Sequence, residues 1–456
     1  MLTFKDCLTT IPAFRFVYDH LHLCSSLGKK ELLKIPFLTD EASLKNCFNE
    51  VEKVLTWSKG DTEDKRQIIQ LLTCLSDISG TLLRLKNNDA LDDVELFEIK
   101  KSAMMMHDLN LLLTSTSFPL FTLHHVEKVI EILDPENCLV QHFYIYSAYS
   151  KELTALRNKC NTTAVPEEKE DLLWQISKLE NKIRQNLVKK LVPFAELLEQ
   201  NLQLIATLDL LWAKAKLALE WNCCKPEISN KEISYTGLFH PMVSHRLKKE
   251  NTVFQPINIE LKQEPCLITG ANMTGKSIFL RAIAFSQWMF QFGFYVPAQK
   301  ATIVPVEKIH FVADDSDTER TGLSSFVHEI FHIQHILQEV KEHKKMLVLV
   351  DEFARTTNPK EGSALVTAFL EMMNHKKTIC LVTTHYNVEG NFRRLRVKGI
   401  QWAQLEHIKT NPHELNKYID YQLEDCNEKT APEEAVKVAE ILAIDDAFIS
   451  LVKKYL

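Results

Sequence analysis

The run from Cys266 to Ser277, CLITGANMTGKS, constrains this chain more than any other stretch. A short apolar segment of strand type meets Gly270, and Gly275, Lys276 and Ser277 follow at the G-x-x-x-x-G-K-[ST] spacing of a phosphate-binding (Walker A) loop. Glycines at those places let backbone N–H groups turn inward and form an anion-binding concavity. Lys276 is expected to reach the β- and γ-phosphates, and the Ser277 hydroxyl to sit on Mg²⁺. Beyond it Phe279, Leu280, Ile283 and Ala284 recur at helical spacing, so the loop opens a helix whose positive end faces the phosphates.

The loop needs a strand before it and a sheet around it, and the rest of the sequence supplies both only in its second half. Glycine is scarce, 11 in 456 residues, which favours a helix-rich molecule. Up to about Pro226 apolar residues recur every three or four positions. This predicts helices over Glu31–Phe37, Ala42–Trp57, Ile68–Leu85, Leu91–Leu113 and His125–Leu133. A long one follows from Glu168 to Trp221, broken at Pro193. The polar Cys160–Glu170 segment reads as the turn between two long antiparallel helices. From Ile228 short apolar runs alternate with helical patterns: Ile257–Leu261, Cys266–Thr269, Ala301–Val304, Met346–Val350 and Thr378–Thr383. That alternation predicts a mostly parallel sheet covered by helices. Lys429–Leu456 returns to two short helices broken near Ile444 and Asp445, of the kind that pack or dimerise.

Two of those strands end in chemistry. Met346–Glu352 (MLVLVDE) is a buried strand running into two carboxylates, at the end of a parallel strand where ligands bind. Asp351 is placed to hold the Mg²⁺ water shell, and Glu352 (the Walker B pair) to orient and deprotonate an attacking water. Thr378–Tyr386 (TICLVTTHY) delivers His385 to the same edge, where it is suited to sensing the γ-phosphate. His328–His332 spells H-E-x-x-H, yet no carboxylate or glycine follows at metalloprotease spacing. An amphipathic helix with Phe326, Ile330, Ile333 and Leu337 inward is expected there instead.

Net charge is −6, so no global field draws the chain to nucleic acid; the one basic cluster is Arg393, Arg394, Arg396 and Lys398, expected as a solvated loop edge. The 11 cysteines are scattered without a C-x-x-C pair, which fits a reducing, cytoplasmic setting. No basic n-region precedes an apolar core at the N-terminus, and no apolar run reaches membrane-spanning length.

The sequence from about Ile205 to Tyr455 resembles the MutS ATPases of DNA mismatch repair. TGANMTGKS with FLRAIA is similar to that family's phosphate loop and helix, GLSSFVHEI to its serine-bearing signature, LVLVDEFARTT to its magnesium strand and LVTTHY to its histidine switch. IATLDLLWAKAKLALEWNCCKPEI and HPMV resemble the approach to the ATPase, and YIDYQLED with EEAVKVAEILAI its closing strand and dimerising helices.

The resemblance implies an α + α/β fold: residues 1–226 a helical core with a shortened lever, 227–428 an ABC-type P-loop ATPase domain, and 429–456 a helical dimerisation element. It implies ATP and Mg²⁺ as ligands, with Gly270, Asn272, Gly275, Lys276 and Ser277 on phosphate and Ser277 and Asp351 on the metal. Glu352 and His385 are the implied catalytic residues, and Ser324 would complete the opposite subunit's site in a homodimer. Phe254 is the implied apolar platform for adenine.

Three departures from the family pattern stand out. The chain opens at the helical core, where the family has a mismatch-reading domain first. Between YSKELTALRNK and Leu187 lies only a short helical hairpin, where the family carries a β-rich DNA clamp. The run after Glu352 is Phe-Ala-Arg-Thr-Thr-Asn-Pro rather than glycine-rich. DNA binding is therefore expected to be weakened. Two functions follow: a dimeric, mismatch-repair-related ATPase switch, or an ATP-driven protein remodeller of the kind associated with reactivating cobalamin-dependent lysine or ornithine aminomutases.

Overall fold

The computed structural model describes residues 2–60, 62–138, 143–270, 274–313, 325–342, 344–355, 357–374, 378–404, 415–426, 435–442 and 444–455. Its first half is helical: α1 (Phe4–Thr10), α2 (Pro12–His20), α3 (Ser26–Lys34), α4 (Glu41–Ser58), α5 (Glu63–Cys74), α6 (Ser79–Lys86), α7 (Asp93–Ser115), α8 (Glu127–Leu133), α9 (Lys151–Thr162), α10 (Pro166–Leu191) and α11 (Ala195–Glu220).

Local chemistry sets these boundaries. Asp40 accepts the Ser43 N–H at 2.7 Å and starts α4, whose Leu44, Phe48, Val51 and Val54 are buried in sequence order. Asp92 and Glu95 form a reciprocal capping box that opens α7. The helix expected over Ile68–Leu85 is two helices, α5 ending at Cys74 and α6 starting at Ser79, whose N–H donates to the Asp77 carboxylate at 3.0 Å. The expected turn at Cys160–Glu170 is shorter. Helix α10 begins at Pro166, where a residue without an N–H costs nothing. Pro193 interrupts the long helix by a single 3₁₀ turn, Val192–Phe194, after which α11 runs on to Glu220.

The second half holds two sheets where one was expected. Strands β1 (Glu227–Ile228), β2 (Glu232–Leu238), β3 (Ile257–Lys262) and β5 (Lys300–Ile303) form a small sheet in the order β1-β5-β2-β3, antiparallel except for β1 with β5. The Ile257 and Ala301 runs thus leave the parallel sheet; β3 alternates buried and exposed residues as a one-sided strand does. The parallel sheet is built from β4 (Pro265–Thr269), β6 (Lys308–Val312), β7 (Met346–Val350), β8 (Thr378–Thr383) and β9 (Arg393–Ile400), with β10 (Ile419–Asp425) antiparallel at one edge. Its order is β10-β9-β4-β8-β7-β6. Every residue of β4, β7 and β8 is buried, as strands covered on both faces must be. The helices of this half are α12 (Pro241–Lys249), α13 (Lys276–Gln291), α14 (Ser325–Lys341), α15 (Pro359–Met373), α16 (Ala435–Ile441) and α17 (Asp446–Tyr455).

The arginine cluster is a strand rather than a loop edge. Arg394 is buried, giving its guanidinium to the Val388 and Gly390 carbonyls at 2.9 and 3.0 Å, while Arg393 pairs with Asp425. Alternation along β9 puts Arg394, Arg396 and Lys398 on one face and Arg393 on the other.

One apolar core runs through both halves. Phe4 and Phe14 pack on Phe292 at 5.6 and 5.4 Å between ring centroids, joining α1 and α2 to the end of α13. Lys214, buried in α11, donates to the Phe292 and Gly293 carbonyls at 2.9 and 3.2 Å. Burial pulls that amine down to about 8. Asp209 on α11 accepts the N–H groups of Cys24 and Ser25 and the Ser25 hydroxyl at 2.9, 2.8 and 2.6 Å. A β-carbon at Gly28 would stand 2.2 Å from that carboxylate, so only glycine fits the first turn of α3. Among the described residues no single helix is long and apolar enough to cross a membrane.

Candidate functional site

The phosphate-loop helix begins where the sequence places it. Gly275 sits at φ +79°, a left-handed conformation that favours glycine, and α13 starts at Lys276. The Lys276 side chain is buried and its amine donates to the Gly270 carbonyl at 2.7 Å, so it lies folded across the loop. Burial lowers its proton affinity while Glu352 and Asp351 raise it, which places both carboxylates within electrostatic reach. A lysine held by a backbone carbonyl, with two acids in reach, fits a triphosphate with a divalent cation, whose charges would be balanced there. Ser277, half-buried, follows on the first turn. Asn272 and Ser324 lie outside the described residues.

Sheet register brings the other groups to this loop. Val350 pairs with Val382 and Ile268 with Thr383, so the carboxyl ends of β4, β7 and β8 stand side by side. Asp351 emerges from β7, its N–H bonded to the Val312 carbonyl at 2.8 Å. The Thr383 hydroxyl donates to Asp351 Oδ1 at 2.7 Å and accepts the Glu352 N–H at 3.0 Å. One side chain of β8 thus fixes both members of the acidic pair. Thr383 was visible in the sequence only as a strand residue, since its role depends on which strand neighbours which.

The turn after the acids is held by force. Glu352 and Ala354 have φ of +51° and +60°, left-handed values that cost a non-glycine residue roughly 1 kcal/mol or more each. Two partners offset that cost. The Glu329 carboxylate accepts the Ala354 N–H at 3.2 and 3.3 Å, and the Tyr386 hydroxyl donates to the Ala354 carbonyl at 2.7 Å. Glu329 is the glutamate of the H-E-x-x-H run. Helix α14 buries Ile333, Ile336 and Val340 as an amphipathic helix, and among the described residues no group of three side chains could hold a metal.

His385 follows Thr384 at the end of β8. Burial lowers its proton affinity; Glu352 opposes this, while Lys276 and Arg355 add to it, so the ring stands amid all three. Arg355 lies 3.4 Å from the Glu352 carboxylate.

Phe254 is half-buried and lines a cavity of about 280 Å³ with Phe16, Trp221 and His245. The ring that meets the phosphate loop is Tyr421 of β10: a β-carbon on Gly275 would lie 3.1 Å from it. Gln255 binds these two segments, accepting the Tyr421 N–H at 2.9 Å and donating to Asp420 at 2.8 Å.

Fold and site define a class of protein: a mostly parallel α/β domain of the ATPase kind, its crevice at the carboxyl ends of the strands. Residues 266–455 match the family described as MutS domain V. The DNA mismatch repair protein MutS of Oceanobacillus iheyensis is 28% identical over 245 residues, covering 52% of this chain and 26% of that protein. The likeness to MutS proteins is carried by residues 266–455, which match the domain that is the ATPase domain of that family. The chain spans about a quarter of the length of that relative.

Proposed function

We propose that the chain binds ATP with Mg²⁺ between β4 and α13 and hydrolyses it to ADP and phosphate, using the cycle to switch a homodimer. The observation that carries this reading is the convergence of Lys276, Asp351, Glu352 and His385 at three adjacent strand ends, with Thr383 bridging the acids. Lys276 would leave the Gly270 carbonyl for the β- and γ-phosphate oxygens. Glu352 would take a proton from the water that attacks the γ-phosphorus, while the bond to the β–γ bridging oxygen breaks and ADP departs. Bound through Ser277 and Asp351, Mg²⁺ would supply neutralisation of the phosphate charge. Asn272 would add a phosphate contact, and His385 would report whether the γ-phosphate is present. Tyr421 and Phe254 are the aromatic candidates for the base, Tyr421 the better placed.

The dimer reading, with Ser324 reaching across to the partner's nucleotide, draws support from exposed apolar side chains. Phe448, Leu451 and Tyr455 on α17 are exposed, as is Phe331 on α14. We retain the division into a helical core and lever (1–226), an ATPase domain (227–428) and a terminal dimerising element (429–456).

What the cycle acts on has two readings. The match to MutS domain V and the likeness to a MutS of DNA mismatch repair support a mismatch-repair role with DNA. The tip of the α9–α10 hairpin favours a protein partner, such as the aminomutase of the second reading. There Glu167, Glu168, Glu170 and Asp171 are exposed beside Leu173 and Trp174, which are 53% and 62% exposed. Four acids against the single Lys169 in that run weaken attraction to a phosphate backbone, and the exposed Leu173 and Trp174 suit a protein surface.

Replacing Glu352 by alanine tests the core of the reading. Nucleotide affinity should persist, turnover should fall by roughly 10²–10⁴-fold, and light scattering should show a dimer held by ATP and Mg²⁺. Unchanged turnover would discredit Glu352 as the base. A chain that stays monomeric with ATP would remove the switch. Gel shifts with duplex DNA, run on the same trapped protein, separate the two cargo readings.

A further inference from the structure

A second cavity lies away from the phosphate loop and uses none of Lys276, Ser277, Asp351, Glu352 or His385. It has a volume of about 480 Å³, within the usual range for small-ligand sites, and is walled by α1, α2, α13, β6 and α14. Most of its wall is apolar, with Ile11, Phe285, Trp288, Ile309, Phe311 and Ile336 contributing. Arg281, exposed on α13, is the one fixed charge among the lining residues and pairs with no carboxylate among the described residues. Cys7, Thr10 and histidines 240, 310, 332 and 335 also belong to the polar wall, and among the described residues no aspartate or glutamate lines it.

Two details make this more than a packing gap. His240 is only 3% exposed and stacks on Phe285 at 5.2 Å, yet its Nδ1 has no partner among the described residues. A buried ring left in that state is costly unless something else occupies the space beside it. Glu339 on α14 is already taken up by Lys308, by His310 at 2.7 Å and by His335 at 3.4 Å. Its charge therefore does little to cancel that of Arg281.

We propose that this cavity is a binding site for a small organic monoanion, a carboxylate joined to a flat aromatic body. The carboxylate lies on the Arg281 guanidinium, which matches it as a two-pronged donor. The aromatic body lies between Phe285, Trp288 and Ile336, where burial of its faces supplies the rest of the affinity. A dianion such as a phosphate ester is disfavoured, because one guanidinium leaves its second charge uncompensated in an apolar wall. A bound molecule would touch the N-terminal helices, the helix leaving the phosphate loop and α14 at once.

Calorimetric titration of the full chain with indole-3-acetate and with its neutral amide, indole-3-acetamide, tests this without reference to nucleotide turnover. The acid should bind, and the amide roughly 10–100-fold more weakly, the worth of a charge-assisted hydrogen-bonded pair. Arg281→Gln should bring the two to equal affinity. His332→Trp, at an exposed position of the wall, should abolish both, with an unchanged urea midpoint showing that the fold is intact; His335→Phe serves the same end if that variant is unstable. No heat from the acid at its solubility limit would overturn the proposal. So would equal binding of acid and amide to the native chain, or a preference for the acid that survives Arg281→Gln.

Discussion

The Thr383 hydroxyl is bonded on both sides, to Asp351 Oδ1 and to the Glu352 N–H. Thr383→Val keeps the shape and removes both bonds, leaving a backbone N–H without its partner at a cost of about 1–3 kcal/mol. On the reading of Asp351 as the metal-side carboxylate, the variant should need roughly 10–100-fold more Mg²⁺ for half-maximal hydrolysis. Its nucleotide affinity without metal should be unchanged. Magnesium titrations of turnover, with urea melts as the control, check both. If the Mg²⁺ dependence does not move, Thr383 is a strand residue and nothing more. Lys276, Asp351 and Glu352 were legible in the sequence because each sits within a few residues of its own strand. Thr383 and Tyr421 were not, since their partners come from strands 32 and 146 residues away (383 − 351 and 421 − 275).

Among the elements, the tie between α11 and the start of α3 shows how a single buried acid organises helices far apart in the chain. Asp209 is fully buried and takes three donors from Cys24 and Ser25. Asp209→Ala strands two N–H groups and a hydroxyl in the core, which should cost roughly 3 kcal/mol. The urea midpoint should drop accordingly, and hydrogen exchange should rise first in residues 24–34. A loss within ~0.5 kcal/mol would mean the tie is incidental. Helix α14 teaches the same lesson. Its apolar stripe was readable from spacing, but the use of Glu329 to hold the strained Ala354 was not, because it needs α14 laid against the turn after β7.

At the scale of the whole molecule, the contact between the N-terminal helices and the second half should make the fold acid-sensitive through His240. Burial, with Arg281 nearby, pushes this ring down to about 4 from an ordinary 6.5. Between those values the unfolded chain carries the extra proton, so stability is full above pH 6.5 and falls as pH drops toward 4. From pH 7.5 to pH 5 the loss from this group alone should be about 2 kcal/mol. His240→Phe keeps the stack on Phe285 and should remove that share of the pH dependence. Urea melts of both proteins at the two pH values measure the difference; parallel losses would show that His240 titrates freely.

The sequence by itself determined the longer helices of the first half, the buried strands β4, β7 and β8, and the chemistry carried within one loop or one strand end, because helical period, strand burial and the glycine-lysine spacing are local properties. It also determined the helical character of the first half. Only the tertiary structure decided that the strands divide into two sheets, that Thr383 joins the two acids, and that a cavity opens between α2, α13 and α14. Those depend on register and on packing between segments hundreds of residues apart, and side-chain spacing along one segment carries no record of its neighbours in space.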